Sequence, residues 1–165
     1  MQKMTYRVLL MLLAVAALFG QEGPTPQFGD YPATVTHGSN AAPKFSTAGQ
    51  RTFRTRIRDA AEQGPNFAGH YTVAEWGCGT GCVQMAVVDN QSGAVYDGPL
   101  GALPKTLVCV GDLPVEQAGY IYHDNSSLLV VGGCPNNTAC GAYYYQWTAN
   151  QWKLLRRVAS KVTGC

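Results

Sequence analysis

Cys78 and Cys82 stand on either side of Gly79-Thr80-Gly81, with β-branched and apolar residues running outward in both directions. A loop this short joins only neighbouring antiparallel strands, so the chain must turn back on itself at the glycines. Facing strand positions lie within disulfide range, and a Cys78–Cys82 clasp fixes the register of the whole hairpin. Trp76 then faces Gln84, Ala74 faces Ala86 and Thr72 faces Val88 on one side. On the other, Glu75 faces Met85, Val73 faces Val87 and Tyr71 faces Asp89. Both faces carry apolar groups, so both need a covering layer.

The same cysteines speak to the compartment. Residues 1–20 open with Lys3 and Arg7, continue through an apolar run at 8–19 and end in small residues, the three-part form of a secretory signal peptide. The run is shorter than a bilayer span, and no second one follows. Cleavage is expected after Gly20, or after Ala16 where Ala14-Val15-Ala16 fits the small-residue preference. Gln21 stands where a lipoprotein would need Cys, so no membrane anchor is expected once the leader is gone. All six cysteines lie beyond the leader, an even number that reads as up to three disulfides in an oxidising space. Cys134 and Cys140 flank another turn-rich insert, which leaves Cys109 for Cys165 by elimination. Zinc and a redox-active dithiol both fit less well, because no paired C-x2-C is present; no metal or cofactor is expected.

Residues 21–45 hold Pro24, Pro26, Pro32 and Pro43 among small polar residues, the composition of a linker or a surface-hugging arm. A helix follows: Ser46 or Thr47 can cap it, Phe53, Ile57, Ala60 and Ala61 recur at helical spacing, and Gly64-Pro65 ends it. Its stripe is expected to approach the sheet at the small Ala74/Ala86 pair, with Arg51, Arg54 and Arg58 on a solvated face. From His70 onward short strand-like runs alternate with turn signals, at 70–76, 82–89, 94–97, 106–110, 119–123, 128–132, 142–148 and 152–159. The expected fold is therefore α+β: one N-terminal helix packed on a twisted antiparallel β-meander of about seven or eight strands, disulfide-stapled, with residues 46–165 as a single globular domain.

With Lys3 and Arg7 removed alongside the leader, ten basic side chains face ten acidic ones. A neutral surface argues against a nucleic-acid partner and against a polybasic membrane patch.

The run Asn66-Phe67-Ala68-Gly69-His70-Tyr71, leading into Trp76-Gly77-Cys78-Gly79-Thr80-Gly81-Cys82, resembles a group of small exported bacterial proteins of unknown function. The resemblance extends through Gly132-Gly133-Cys134 and Tyr143-Tyr144-Tyr145-Gln146-Trp147, so it covers roughly residues 66–152. It implies bacterial export and carries over no functional residue.

Candidate chemistry is sparse. There is no G-x-S-x-G, no H-E-x-x-H, no P-loop and no G-x-G-x-x-G after a strand. His37 falls in the arm, and His70 and Glu75 point to opposite faces of an extended chain. His123 occupies a turn with Asp124. Glu75, between Ala74 and Trp76 in a doubly covered strand, reads first as a structural carboxylate paired with an arginine. His70, Glu75 and His123 are the catalytic candidates. Tyr143, Tyr145 and Trp147 alternate onto one face, with Trp152 across the next turn; left exposed, they would form a flat binding surface. The function expected is an exported, non-catalytic module binding a protein or envelope polymer, an inhibitor-like role included. A small periplasmic hydrolase with a His/carboxylate site and a structural envelope component are the alternatives. A concave site joining a His to a carboxylate separates the hydrolase from the binder.

Overall fold

The computed structural model describes residues 23–36, 38, 40–79, 82–101, 103–104, 119–135 and 139–160. The leader, His37, the strand expected at 106–110, and Cys109 and Cys165 with their inferred bridge lie outside those residues.

The alternating runs form strands β1 (Tyr71–Gly77), β2 (Cys82–Asp89), β3 (Val95–Asp97), β4 (Leu103–Pro104), β5 (Gly119–Tyr122), β6 (Leu128–Gly133), β7 (Gly141–Thr148) and β8 (Gln151–Ala159). They divide between two four-stranded antiparallel sheets instead of running through one meander. In the first sheet the order is β1-β2-β3, with β4 also paired to β2; in the second it is β5-β6-β7-β8. Two sheets answer the problem set by strands that are apolar on both faces, because each sheet becomes one of the other's covering layers.

The layers can be read from the alternation along β1 and β2. Val73, Met85 and Val87 meet Leu129, Val131, Tyr143, Tyr145 and Trp147 across the space between the sheets, with Phe67 fully buried among them. The opposite face of the first sheet places Ala74, Ala86, Val88 and Val95 against Ile57 and Ala61. Those two residues lie on α2 (Arg54–Glu62), which follows a short α1 (Ala48–Thr52) after a break at Phe53. Thr47 caps α1 by accepting from Gln50 N, and the Gln50 side chain accepts in return from Thr47 N. Arg51, Arg54 and Arg58 are exposed, Arg58 lying 5.3 Å over the Phe45 ring. On the far side of the second sheet, Leu128, Val130, Ala142 and Tyr144 pack against Phe28 and Tyr31 of the arm.

The proline-rich arm is pinned to the strand connections along its length. Ala33 N donates to Asn125 O, Thr36 N to Gly69 O, Ala41 N to Asn90 O and Lys44 N to Gly93 O, at 2.8 to 3.1 Å. Two glycines make the approach feasible. Gly69 (φ +88°) and Gly93 (φ +76°) adopt left-handed backbone, and a Cβ on either would collide with the carbonyl oxygen of Thr34 or Ala42. Asn66 fixes the entry to β1 with its side chain, accepting from Val73 N at 2.7 Å and donating to Val73 O at 3.2 Å. The Asn66-to-Tyr71 run is thus an architectural corner joining arm, sheet and the β5–β6 turn, where Ala68 N and Gly69 N donate to Ser126 O and Asp124 O.

The register of β1 on β2 is Tyr71↔Asp89 through Gly77↔Val83, with Trp76 opposite Gln84 and Glu75 opposite Met85. Disulfides join Cys78 to Cys82, with Cα atoms 5.2 Å apart, and Cys134 to Cys140. No helix among the described residues is long and apolar enough to cross a membrane.

Candidate functional site

A concavity opens where an edge strand is interrupted. β3 pairs with β2 as far as Ala86↔Asp97, and β4 resumes at Val83↔Leu103. Gln84 and Met85 therefore stand opposite an excursion, described over residues 98–101, that leaves the sheet. Gly98 begins it, with its N–H on Met85 O at 3.3 Å; a Cβ there would lie 2.7 Å from Met85 Cγ, so a larger residue would have to push the Met85 side chain aside. The gap forms a cleft of about 360 Å³ between the excursion and the start of α1.

The aromatic, amide and carboxylate side chains of the cleft are held by one another and by the sheet. Trp76, projecting to the helix side of β1, stacks on Phe53 with ring centroids 4.9 Å apart and planes 25° apart. Its indole N–H donates to Gln84 Oε1 at 3.2 Å, as their facing positions allow. Gln50, only 4% exposed, donates through Nε2 to Asp97 Oδ1 at 3.0 Å and to Val95 O at 3.3 Å. Asp97 itself is exposed. Trp152 ties the same rim to the second sheet, donating from Nε1 to Asp97 O at 3.0 Å. The lining thus offers a fixed aromatic wall, an amide and a carboxylate, with Asp97 its one charged member among the described residues.

The sequence candidates lie elsewhere and apart. Glu75 projects from the opposite face of β1 and meets Tyr122, whose hydroxyl donates to Glu75 Oε1 at 2.9 Å; the expected arginine partner is replaced by a phenol. Glu75 is partly open to solvent, contrary to a doubly covered strand, yet desolvation of its carboxyl raises it above its ordinary value, and the Tyr122 hydrogen bond only partly offsets this. Tyr120 and Tyr122 are both pushed well above the usual phenol value, first by burial and then by the Glu75 charge. The Tyr120 hydroxyl is buried without a hydrogen-bond partner among the described residues.

His70 lies at the other end of β1, its Nε2 3.7 Å from Asp89 Oδ1. Asp89 is committed to its own turn, accepting from Gln91 N, Ser92 N and Ser92 Oγ. Burial alone would raise its carboxyl, but these hydrogen bonds, Ser92 foremost, with the charge of His70, bring it below the ordinary value. His123 follows Tyr122 in the chain, yet its ring stacks on Phe28 at 4.1 Å, against the arm. His70, Glu75 and His123 are not brought together.

Tyr143, Tyr145 and Trp147 are 7%, 7% and 5% exposed and face the first sheet, so this row is core and not a flat outer surface. Tyr143 donates its hydroxyl to Ala139 O, and Trp152, half-buried, packs 4.6 Å from Trp147 and 5.8 Å from Phe67. Alternation identifies side chains sharing a face but not which layer will cover it. The cleft residues were partly visible beforehand: Trp76 opposite Gln84 follows from the hairpin register. Gln50 and Asp97, 47 residues apart, carry no such signal. Among the described residues no cluster of His, Cys, Asp and Glu could hold a metal ion.

No family model, curated protein or solved structure matches the chain.

Proposed function

We propose that the chain is an exported binding module whose cleft takes a segment of an envelope polymer. The observation that carries this reading is the Phe53–Trp76 stack set beside Gln84 and Asp97, a wall that needs little ordering when a ligand arrives. An aromatic wall with a few fixed polar groups is the usual composition of a small recognition site, and the volume falls at the low end of the roughly 300–1,000 Å³ range of such sites. The leader at residues 1–20 and the two disulfides support export into an oxidising compartment, and the resemblance to exported bacterial proteins agrees with it. The destination is the periplasm or the space outside the cell. A binding role is preferred to hydrolysis because His70, Glu75 and His123 occupy three separate places outside the cleft.

The test is sedimentation of the purified protein with the insoluble envelope fraction of a bacterial cell, comparing wild type with Trp76→Ala. Retention that falls at least about ten-fold in the variant supports cleft recognition, since an anchoring aromatic commonly contributes that much. Equal retention of the two proteins, or none of either, removes the cleft from the function.

A further inference from the structure

We infer that the cleft is a saccharide subsite, built for the pyranose ring of a neutral glycan; this rests on the polymer-binding reading above and names the chemistry of the ligand. The starting point is what Trp76 can offer. Its indole N–H is already spent on Gln84 Oε1, and its position is set by stacking on Phe53. The ring therefore offers π surface and not a donor. A pyranose is the common polymer unit that matches this, because its axial C–H groups make one apolar face while its hydroxyls point outward around the rim.

The polar groups complete the match. With Oε1 engaged, the Gln84 amide keeps Nε2 as a donor, and Asp97 keeps Oδ2 as an acceptor, neither having a hydrogen-bond partner among the described residues. Gln50, buried and bonded both to Asp97 Oδ1 and to the β3 backbone, holds the carboxylate at the mouth. One donor and one charged acceptor beside an aromatic plane suit vicinal hydroxyls, each of which can both give and receive a hydrogen bond. Asp97, the one charged lining group among the described residues, also sets the sign: an anionic sugar meets like charge, whereas a neutral one does not. A quaternary ammonium ligand is disfavoured because its usual site is a cage of several rings, and here the two rings face each other.

The experiment measures tryptophan fluorescence and amide NMR shifts of the purified full chain titrated with three probes: a β-1,4-linked N-acetylglucosamine tetramer, a β-1,4-linked glucose tetramer and a hexuronic acid tetramer. Saturable binding of at least one neutral tetramer is expected, with shifts at residues 76, 84 and 97. Trp76→Ala should weaken it about ten-fold or more and Trp76→Phe by less; Gln84→Leu, which keeps the Trp76 ring stacked on Phe53 but removes the amide, should weaken it about three-fold or more. The uronic acid should bind more weakly than its neutral counterpart, and Asp97→Asn should narrow that gap. Failure of both neutral tetramers, tighter binding of the uronic acid, or binding indifferent to both Trp76→Phe and Gln84→Leu overturns the saccharide assignment. If the envelope fraction still sediments the protein in a Trp76-dependent way while the neutral tetramers fail, the cleft is a binding site of another chemistry. If neither responds to Trp76, the broader reading falls with it.

Discussion

The Tyr122 hydroxyl donates to Glu75 Oε1 at 2.9 Å, joining the second sheet to the first through a single phenol–carboxylate hydrogen bond. The carboxyl is raised by burial despite that bond, so the folded protein holds the Glu75 proton more tightly than the unfolded chain does. Its contribution to stability is complete below the ordinary carboxylate value and is lost as pH rises through the raised folded value. Glu75→Gln, which keeps an acceptor for Tyr122 but carries no charge, is expected to match wild type near about pH 4 and to melt higher than wild type near about pH 8. Thermal melts across that range check it. A variant that melts lower than wild type at the alkaline end would mean that the charged carboxylate stabilises the fold.

Gly69 is the point where the arm comes closest to the corner before β1. Alanine there faces two costs, a left-handed backbone at φ +88° and a collision with the Thr34 carbonyl oxygen. The arm has fewer holds than the sheet, so it should give way first. Gly69→Ala is expected to lose on the order of 2 kcal/mol and to open the arm to limited proteolysis near Thr34 while the sheets stay folded. Global unfolding with no earlier arm cleavage would show that arm and sheets are one cooperative unit.

How far these relationships could be read from the sequence depends on their range. The β1–β2 register follows from period-two alternation and one short glycine loop, both local. The division into two sheets does not, because nothing in the turn signals between Asp97 and Gly119 says whether the next strand pairs with β3 or starts afresh. The cleft is hidden for the same reason: it is made where residues 98–101 leave the β2 edge, and Gly98-Pro99-Leu100-Gly101 reads in the sequence only as a turn. Asn66 looks like a loop residue until Val73 is folded beside it, when its amide serves as one more rung of backbone pairing. Tyr143, Tyr145 and Trp147 share a face as expected, but the first sheet covering that face is a tertiary event.

The β7–β8 turn carries a correctable strain. Ala149 and Asn150 have φ of 49° and 59°, the paired positive values of a tight hairpin turn that matches strand twist. Asparagine tolerates this region and here also accepts a hydrogen bond from the Tyr71 hydroxyl at 2.7 Å, whereas alanine gains nothing in return. Ala149→Gly should therefore raise stability by about 0.5–1 kcal/mol, and Asn150→Ala should lower it by at least as much. Chemical denaturation of the two variants measures both signs. Loss of stability in Ala149→Gly would mean that the gain in unfolded-chain entropy outweighs relief of the strained backbone.

The Cys78–Cys82 clasp closes a very short loop, and the loop-closure estimate for its contribution is about 2 kcal/mol. Replacing both cysteines with serine should cost about that much without changing the hairpin. The register is also held from within, by Ala74 opposite Ala86 against the helix and by Trp76 bonded to Gln84 two positions from the clasp. The double variant is accordingly expected to keep the near-ultraviolet signature of the stacked Trp76 and the binding properties of wild type, measured below its lowered melting temperature. A folded variant that has lost the Trp76 signature would make the clasp a determinant of the cleft itself. On the wild-type protein, a non-reducing peptide map should link Cys78 to Cys82 and Cys134 to Cys140. Any other partner for Cys78 would be incompatible with a register that sets Cys78 beside Cys82, and so with the facing of Trp76 and Gln84 on which the cleft is built.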